Sequence, residues 1–216
     1  MQKENSNGKQ EMSFSGKIKE ELARQWSEAR HCQIAELAAI ISMCGKVSID
    51  SRENYSIKSA HRKMYLLLES TFTLLKKTFN IDTENSVARN KSNGSIYYTV
   101  IIKKHENAIK VLQATKLMDG AGEIPEEFSV SRNLLLQQSC CKRAFIRGAF
   151  LGAGSMSNPA KGYHLEIVCM SGKKAEQLQS VMHAFEIEAK VVIRKKSHVV
   201  YLKEGAQIVD LLNVME

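Results

Sequence analysis

Between His31 and Cys44 apolar side chains return at Ile34, Leu37, Ala38 and Ile41, a spacing that predicts a helix with one buried face, closed by Gly45. Two strand-like pieces follow, KVSID and NYSIKSA, split by the turn-like SREN. The run HRKMYLLLESTFTLLKKTF repeats apolar residues at Met64, Leu67, Leu68, Phe72 and Leu75 and predicts a second helix. TENSVARN and SIYYTVIIK, divided by Asn93-Gly94, predict two more strands, and HENAIKVLQATKLM a closing helix. Gly120, Gly122 and Pro125 then interrupt an acidic stretch and mark a linker.

The same order returns beyond the linker. CCKRAFIRGAFLGAG reads as a helix ending in glycine, and SMSNPAKG leads into the strand YHLEIVCM. GKKAEQLQSVMHAFEI is amphipathic, KVVIRKK and HVVYLKE are strands around a basic turn, and GAQIVDLLNVM closes as a helix. Setting Gly45 against Gly154 offsets the two copies by 109 residues. The predicted architecture is α+β: two αββαββα halves related by a pseudo-twofold axis, each an antiparallel sheet with helices on one face and the other face open. Residues 1–12 read as a disordered leader, 13–118 as the first half, 119–131 as the linker and 132–216 as the second half.

Charge adds a partner to this picture. The chain carries 31 basic and 23 acidic side chains, net +8, of which +3 falls in residues 1–131 and +5 in residues 132–216. An open, duplicated, basic sheet surface suits an elongated and roughly symmetric polyanion, and duplex DNA is such a ligand. No apolar run is long enough to span a bilayer and the start of the chain lacks a secretory core, so a cytoplasmic, nucleoid-associated protein with no membrane partner is expected. The five cysteines and six histidines show no zinc-like spacing in the sequence, and no metal or cofactor is expected. Of the adjacent Cys140 and Cys141, one is expected to pack inward as a small hydrophobe.

Two segments, LAAIISMCG (Leu37–Gly45) and IRGAFLGAG (Ile146–Gly154), resemble degenerate copies of the LAGLIDADG signature of homing endonucleases. SFSGKIKEELAR together with CCKRAFIRGAFLGAGSMSNPAKGYHLEIVCMS resembles, more closely, the WhiA family of Gram-positive regulators. That resemblance implies a role in sporulation, cell division and chromosome segregation, with a LAGLIDADG-type domain followed by a helix-turn-helix domain that reads DNA. This chain stops at NVME where the second domain is expected to begin, so it reads as a piece of a longer protein, and other regulatory proteins are further expected partners.

Cleavage by this fold requires carboxylates at the eighth, and commonly the sixth, motif position to hold divalent metal at the scissile phosphates. Those positions are Cys44 and Ala153, and Ser42 and Leu151; no carboxylate stands at any of them. Asp50 and Glu166 lie nearby but outside the motifs, in strands, and GAFLGAG lacks the lysine-Ser/Thr end of a phosphate loop. The chain is therefore expected not to be an enzyme. Leu37, Ala38, Ile41 and Gly45 of one helix and Ala144, Gly148, Gly152 and Gly154 of the other are expected to form the helix–helix interface, the small residues permitting close approach. Expected phosphate contacts are Arg52, Lys58, Arg89 and Lys91 in the first half and Lys161, Arg194, Lys195 and Lys196 in the second. The alternatives are a scaffold for protein interaction that no longer binds DNA and, less favoured by the residues, an active endonuclease.

Overall fold

In the computed structural model, residues 12–62, 65–90, 92, 94–130 and 134–216 are described; Met64, Lys91, Asn93 and the expected leader up to Glu11 lie outside them. The first half comprises α2 (Arg30–Cys44), β1 (Gly45–Ile49), β2 (Tyr55–Arg62), α3 (Tyr65–Phe79), β3 (Glu84–Arg89), β4 (Ile96–Ile102) and α4 (His105–Ala114). The second repeats the order with α5 (Ser139–Ala153), β5 (Gly154–Met156), β6 (Leu165–Cys169), α6 (Gly172–His183), β7 (Lys190–Arg194), β8 (Ser197–Leu202) and α7 (Gly205–Met215). Each sheet is four-stranded and antiparallel, ordered β1-β2-β4-β3 and β5-β6-β8-β7. None of the described helices is long and apolar enough to cross a membrane.

Sequence-based expectation and structure differ at several places. A helix α1 (Phe14–Ala23), capped by the Ser13 hydroxyl accepting from the Gly16 N–H, precedes α2. It crosses to the other half, where Ser15 Oγ accepts the Met156 N–H at 3.1 Å. Strand β5 occupies three residues, too few for any alternation to register. His61 and Arg62 continue β2 rather than opening α3, because β2 keeps pairing with β4 out to Arg62↔Tyr97.

Helix α2 departs from an amphipathic pattern altogether. Ala35, Leu37, Ala38, Ala39, Ile40 and Ile41 are each no more than 1% exposed, so the helix is buried on every side. It lies against α5 at the centre of the molecule. A Cβ at Gly148 would stand 2.5 Å from the Glu36 carbonyl oxygen, and one at Gly152 2.8 Å from Cys44 Sγ, so both glycines hold open the space the partner helix fills. The α2 residues under them are Glu36, Ala39, Ile40 and Met43. Successive helical residues turn by about 100°, which puts Leu37, Ala38 and Ile41 around the helix from this contact. Both helices run directly into strands: at Gly45 and Gly154 the backbone becomes extended, and a Cβ would collide with the carbonyl oxygens of Ile41 and Phe150.

Candidate nucleic-acid interface

The C-terminal ends of α2 and α5 carry the motif positions, and two lysines occupy them from outside the motifs. Lys19 of α1 donates to the Leu151 carbonyl at 3.0 Å, and Lys174 of α6 donates to the Ser42 carbonyl at 2.5 Å. Each therefore caps the other half's central helix at its sixth motif position, where the negative end of the helix dipole favours a cation. Both are buried, at 8% and 6% exposure. Burial pulls the Lys19 ammonium down to about 8 and lowers Lys174 as well. Beside them the Cys44 thiol is pushed up to about 11 by burial, against the pull of both lysine charges. Ser42 Oγ donates to the Phe128 carbonyl and is spent there. A divalent ion at these helix ends would meet two ammonium groups, a serine already used, a raised thiol and two apolar side chains; the residues do not fit a magnesium site.

The α2–α5 contact also buries an ion pair. Arg147 Nη2 meets Glu36 Oε2 at 2.7 Å and Arg147 Nη1 donates to the Met215 carbonyl at 3.0 Å. Burial pushes the Glu36 carboxyl up against the opposing pull of Arg147.

Strand register decides which basic residues share the open faces. On the first sheet Lys58 is exposed and stands directly across from Lys46, with Ser48 and Ser56 opposed one step on. Arg89 pairs with Ile96, in the set facing the helices, and so lies on the opposite side of the sheet from Lys58. Arg52 is exposed in the β1–β2 turn, where Asp50 Oδ1 accepts the N–H groups of Arg52 and Asn54. These bonds, with the Asn54 side chain, hold the Asp50 carboxyl below its ordinary range.

On the second sheet Lys161 lies exposed in the β5–β6 connection, and Lys195 and Lys196 form the two-residue turn between β7 and β8. Lys196 is thus a turn residue rather than a strand neighbour of Arg194, and Lys195 takes the left-handed φ of 57°. Arg194 does reach the open face, but it is held: its Nη1 lies 3.1 Å from Glu166 Oε2, which also pairs with His164 Nε2 at 3.1 Å. Burial works to raise Glu166, yet the His164 bond and the Arg194 charge outweigh it and keep the carboxyl low. Val168, Val192, Val199 and Lys190 share this face with Glu166, just as Glu84 shares the first open face with Lys58 through Ile101.

Sequence reasoning missed Lys19, Lys46 and Lys174. Lys46 was within reach, since it follows Gly45 at the head of a predicted strand; the other two become visible only once α1 and α6 are packed. At the far ends of the central helices the structure further collects His31, Cys32, Cys140 and Cys141, whose donor atoms all lie within 4.8 Å of one another.

The chain matches two family models, the WhiA N-terminal LAGLIDADG-like domain over residues 30–118 and the WhiA LAGLIDADG-like domain over residues 142–216. It is 47% identical over 206 residues to the probable cell division protein WhiA of Lachnoclostridium phytofermentans, covering 95% of this chain and 65% of that protein. The chain thus spans just under two thirds of that relative's length. Among solved structures it is similar to the N-terminal LAGLIDADG domain of DUF199/WhiA, with a TM-score of 0.69, 22% identity and coverage of 95% and 91% of the two chains. It is also similar to the homing endonuclease I-DmoI in complex with DNA and Mn, with a TM-score of 0.59, 9% identity and coverage of 87% and 98%. At these identities the structural likenesses speak to the fold.

Proposed function

Since the chain belongs to the WhiA family, we propose that it is a non-catalytic module of a DNA-binding transcriptional regulator acting in cell division, sporulation and chromosome segregation. In this reading it engages the phosphate backbone of duplex DNA across its open sheets and supplements a helix-turn-helix domain that reads the sequence. The observation that carries it is the Lys46–Lys58 pair. Like charges placed directly across neighbouring strands repel, and among the described residues neither lysine meets a carboxylate, so a bound phosphate would relieve a cost the free protein bears. Arg52 and Lys161 in equivalent turns, and Lys195 and Lys196 at the outer hairpin, extend the same positive footprint. Loss of cleavage follows from the two lysine ammoniums at the motif ends, which exclude the divalent ion the chemistry needs.

A fluorescence titration of this chain with duplex DNA at several salt concentrations tests the first claim. Affinity should fall steeply with salt and Lys58→Glu should weaken it, whereas absence of binding at low salt would sink it. Magnesium-dependent nicking of a duplex library by the purified chain would overturn the second. Glu166 on the second open face favours the competing reading, a protein-interaction scaffold, because a carboxylate facing DNA is repulsive; that reading stands if the titration shows no binding.

A further inference from the structure

We propose that His31, Cys32, Cys140 and Cys141 form a structural zinc site that clips the two halves together. His31 and Cys32 stand in the first turn of α2, Cys140 and Cys141 in the first turn of α5. The repeat offset of 109 residues superposes the two pairs, so each half supplies two ligands from equivalent positions.

The spacing is that of a tetrahedral site. His31 Nδ1 lies 3.1 Å from Cys141 Sγ, 3.4 Å from Cys32 Sγ and 3.9 Å from Cys140 Sγ. A tetrahedron with zinc–sulfur bonds of about 2.3 Å and a zinc–nitrogen bond of about 2.0 Å has edges of about 3.5 to 3.8 Å. The observed distances bracket those edges, and one histidine with three cysteines is a donor set of closed structural zinc sites. Four protein ligands leave no open position for substrate, so the ion holds structure rather than performing chemistry.

Electrostatics favour an occupant. Neither α2 nor α5 has a side-chain cap, so free N–H groups and the positive ends of two helix dipoles converge on the cluster and stabilise thiolate. Without a cation the thiols oppose one another's ionisation. A central dication reverses this balance: three thiol protons leave to solvent, His31 binds through Nδ1 with its proton on Nε2, and the site keeps a single negative charge. Cys32 and Cys141 are buried while His31 and Cys140 are exposed, which provides an entry path.

The location says what the clip does. Fifteen-residue helices are about 22 Å long, so the cluster pins the N-terminal ends of the pair while Lys19 and Lys174 cap the C-terminal ends that lead into the sheets. Joining residues about 109 apart in the chain also restricts the unfolded state and couples folding to metal.

The reduced, chelator-stripped chain titrated with cobalt(II) tests the site. One equivalent should give the near-ultraviolet thiolate charge-transfer band and the intense visible bands of tetrahedral cobalt, bleached by one equivalent of zinc. Zinc should raise the melting temperature. Cys140→Ser, at an exposed position, should weaken zinc binding by more than about tenfold and abolish the zinc-dependent rise, while Cys169→Ser leaves both unchanged. Circular dichroism confirms that each variant is folded. Absence of the tetrahedral spectrum at stoichiometric metal, or its persistence in a His31→Ala, Cys140→Ser double variant, would overturn the proposal.

Discussion

Lys19 holds a charge in a place largely closed to water, and its single carbonyl partner does not fully compensate. The folded chain gives up the Lys19 proton at about 8, the unfolded chain at the ordinary 10.5. Between those values the unfolded state binds more protons, so the stability contributed by Lys19 rises with pH across that window. Chemical denaturation of wild type and Lys19→Met at a series of pH values should show the difference between them moving in favour of wild type from pH 8 upward. A flat difference would mean that the ammonium is better solvated than its burial indicates. The vacancy this lysine fills was legible, since Ser42, Cys44, Leu151 and Ala153 stand where carboxylates belong. The lysines themselves were not, because they reach the site from helices 132 residues away in the chain in both cases.

At the level of elements the central helix pair carries most of the specificity. Ala144, Gly148 and Gly152 announced a close approach through their four-residue spacing, and the geometry at Gly148 and Gly152 realises it. The identity of the facing surface was not legible, because α2 is apolar on nearly every side and periodicity has nothing to distinguish. The buried Arg147–Glu36 pair fixes it. Arg147→Met should cost about 3–5 kcal/mol by stranding the Glu36 carboxylate, and adding Glu36→Met should recover most of the loss. Denaturant unfolding of the two single variants and the double variant measures this; a double variant as unstable as the worse single one would count against the pair. Helix α1 and strand β5 both escaped sequence reading: the buried face of α1 includes a lysine, Lys19, which a pattern of apolar positions does not count, and β5 is too short to alternate.

Across the whole molecule the two halves share a topology and differ in their surfaces. The first open face presents Lys46 against Lys58, with Glu84 two strands away paired to Lys103; the second presents Glu166 clamped by Arg194 and His164, with Lys190 two strands away. Net charge alone placed the greater excess in the second half, but composition counts residues without asking which are already neutralised. If DNA lies across both faces, Glu166→Gln should release Arg194 and strengthen binding by about twofold to tenfold at low salt, roughly the worth of one exposed charge. Equal affinities before and after the change would place the DNA on the first sheet only.

The sequence by itself determined the order of elements, the duplication and the absence of motif carboxylates, because each is written in local periodicity or at fixed offsets along the chain. Tertiary structure alone decided the rest. Strand register separated Arg89 from Lys58, helix packing delivered Lys19 and Lys174 to the motif ends, and the pseudo-twofold axis brought the donor atoms of two ordinary-looking pairs, His31-Cys32 and Cys140-Cys141, within 4.8 Å of one another. Such groupings depend on contacts between residues about a hundred positions apart, and no local pattern encodes them.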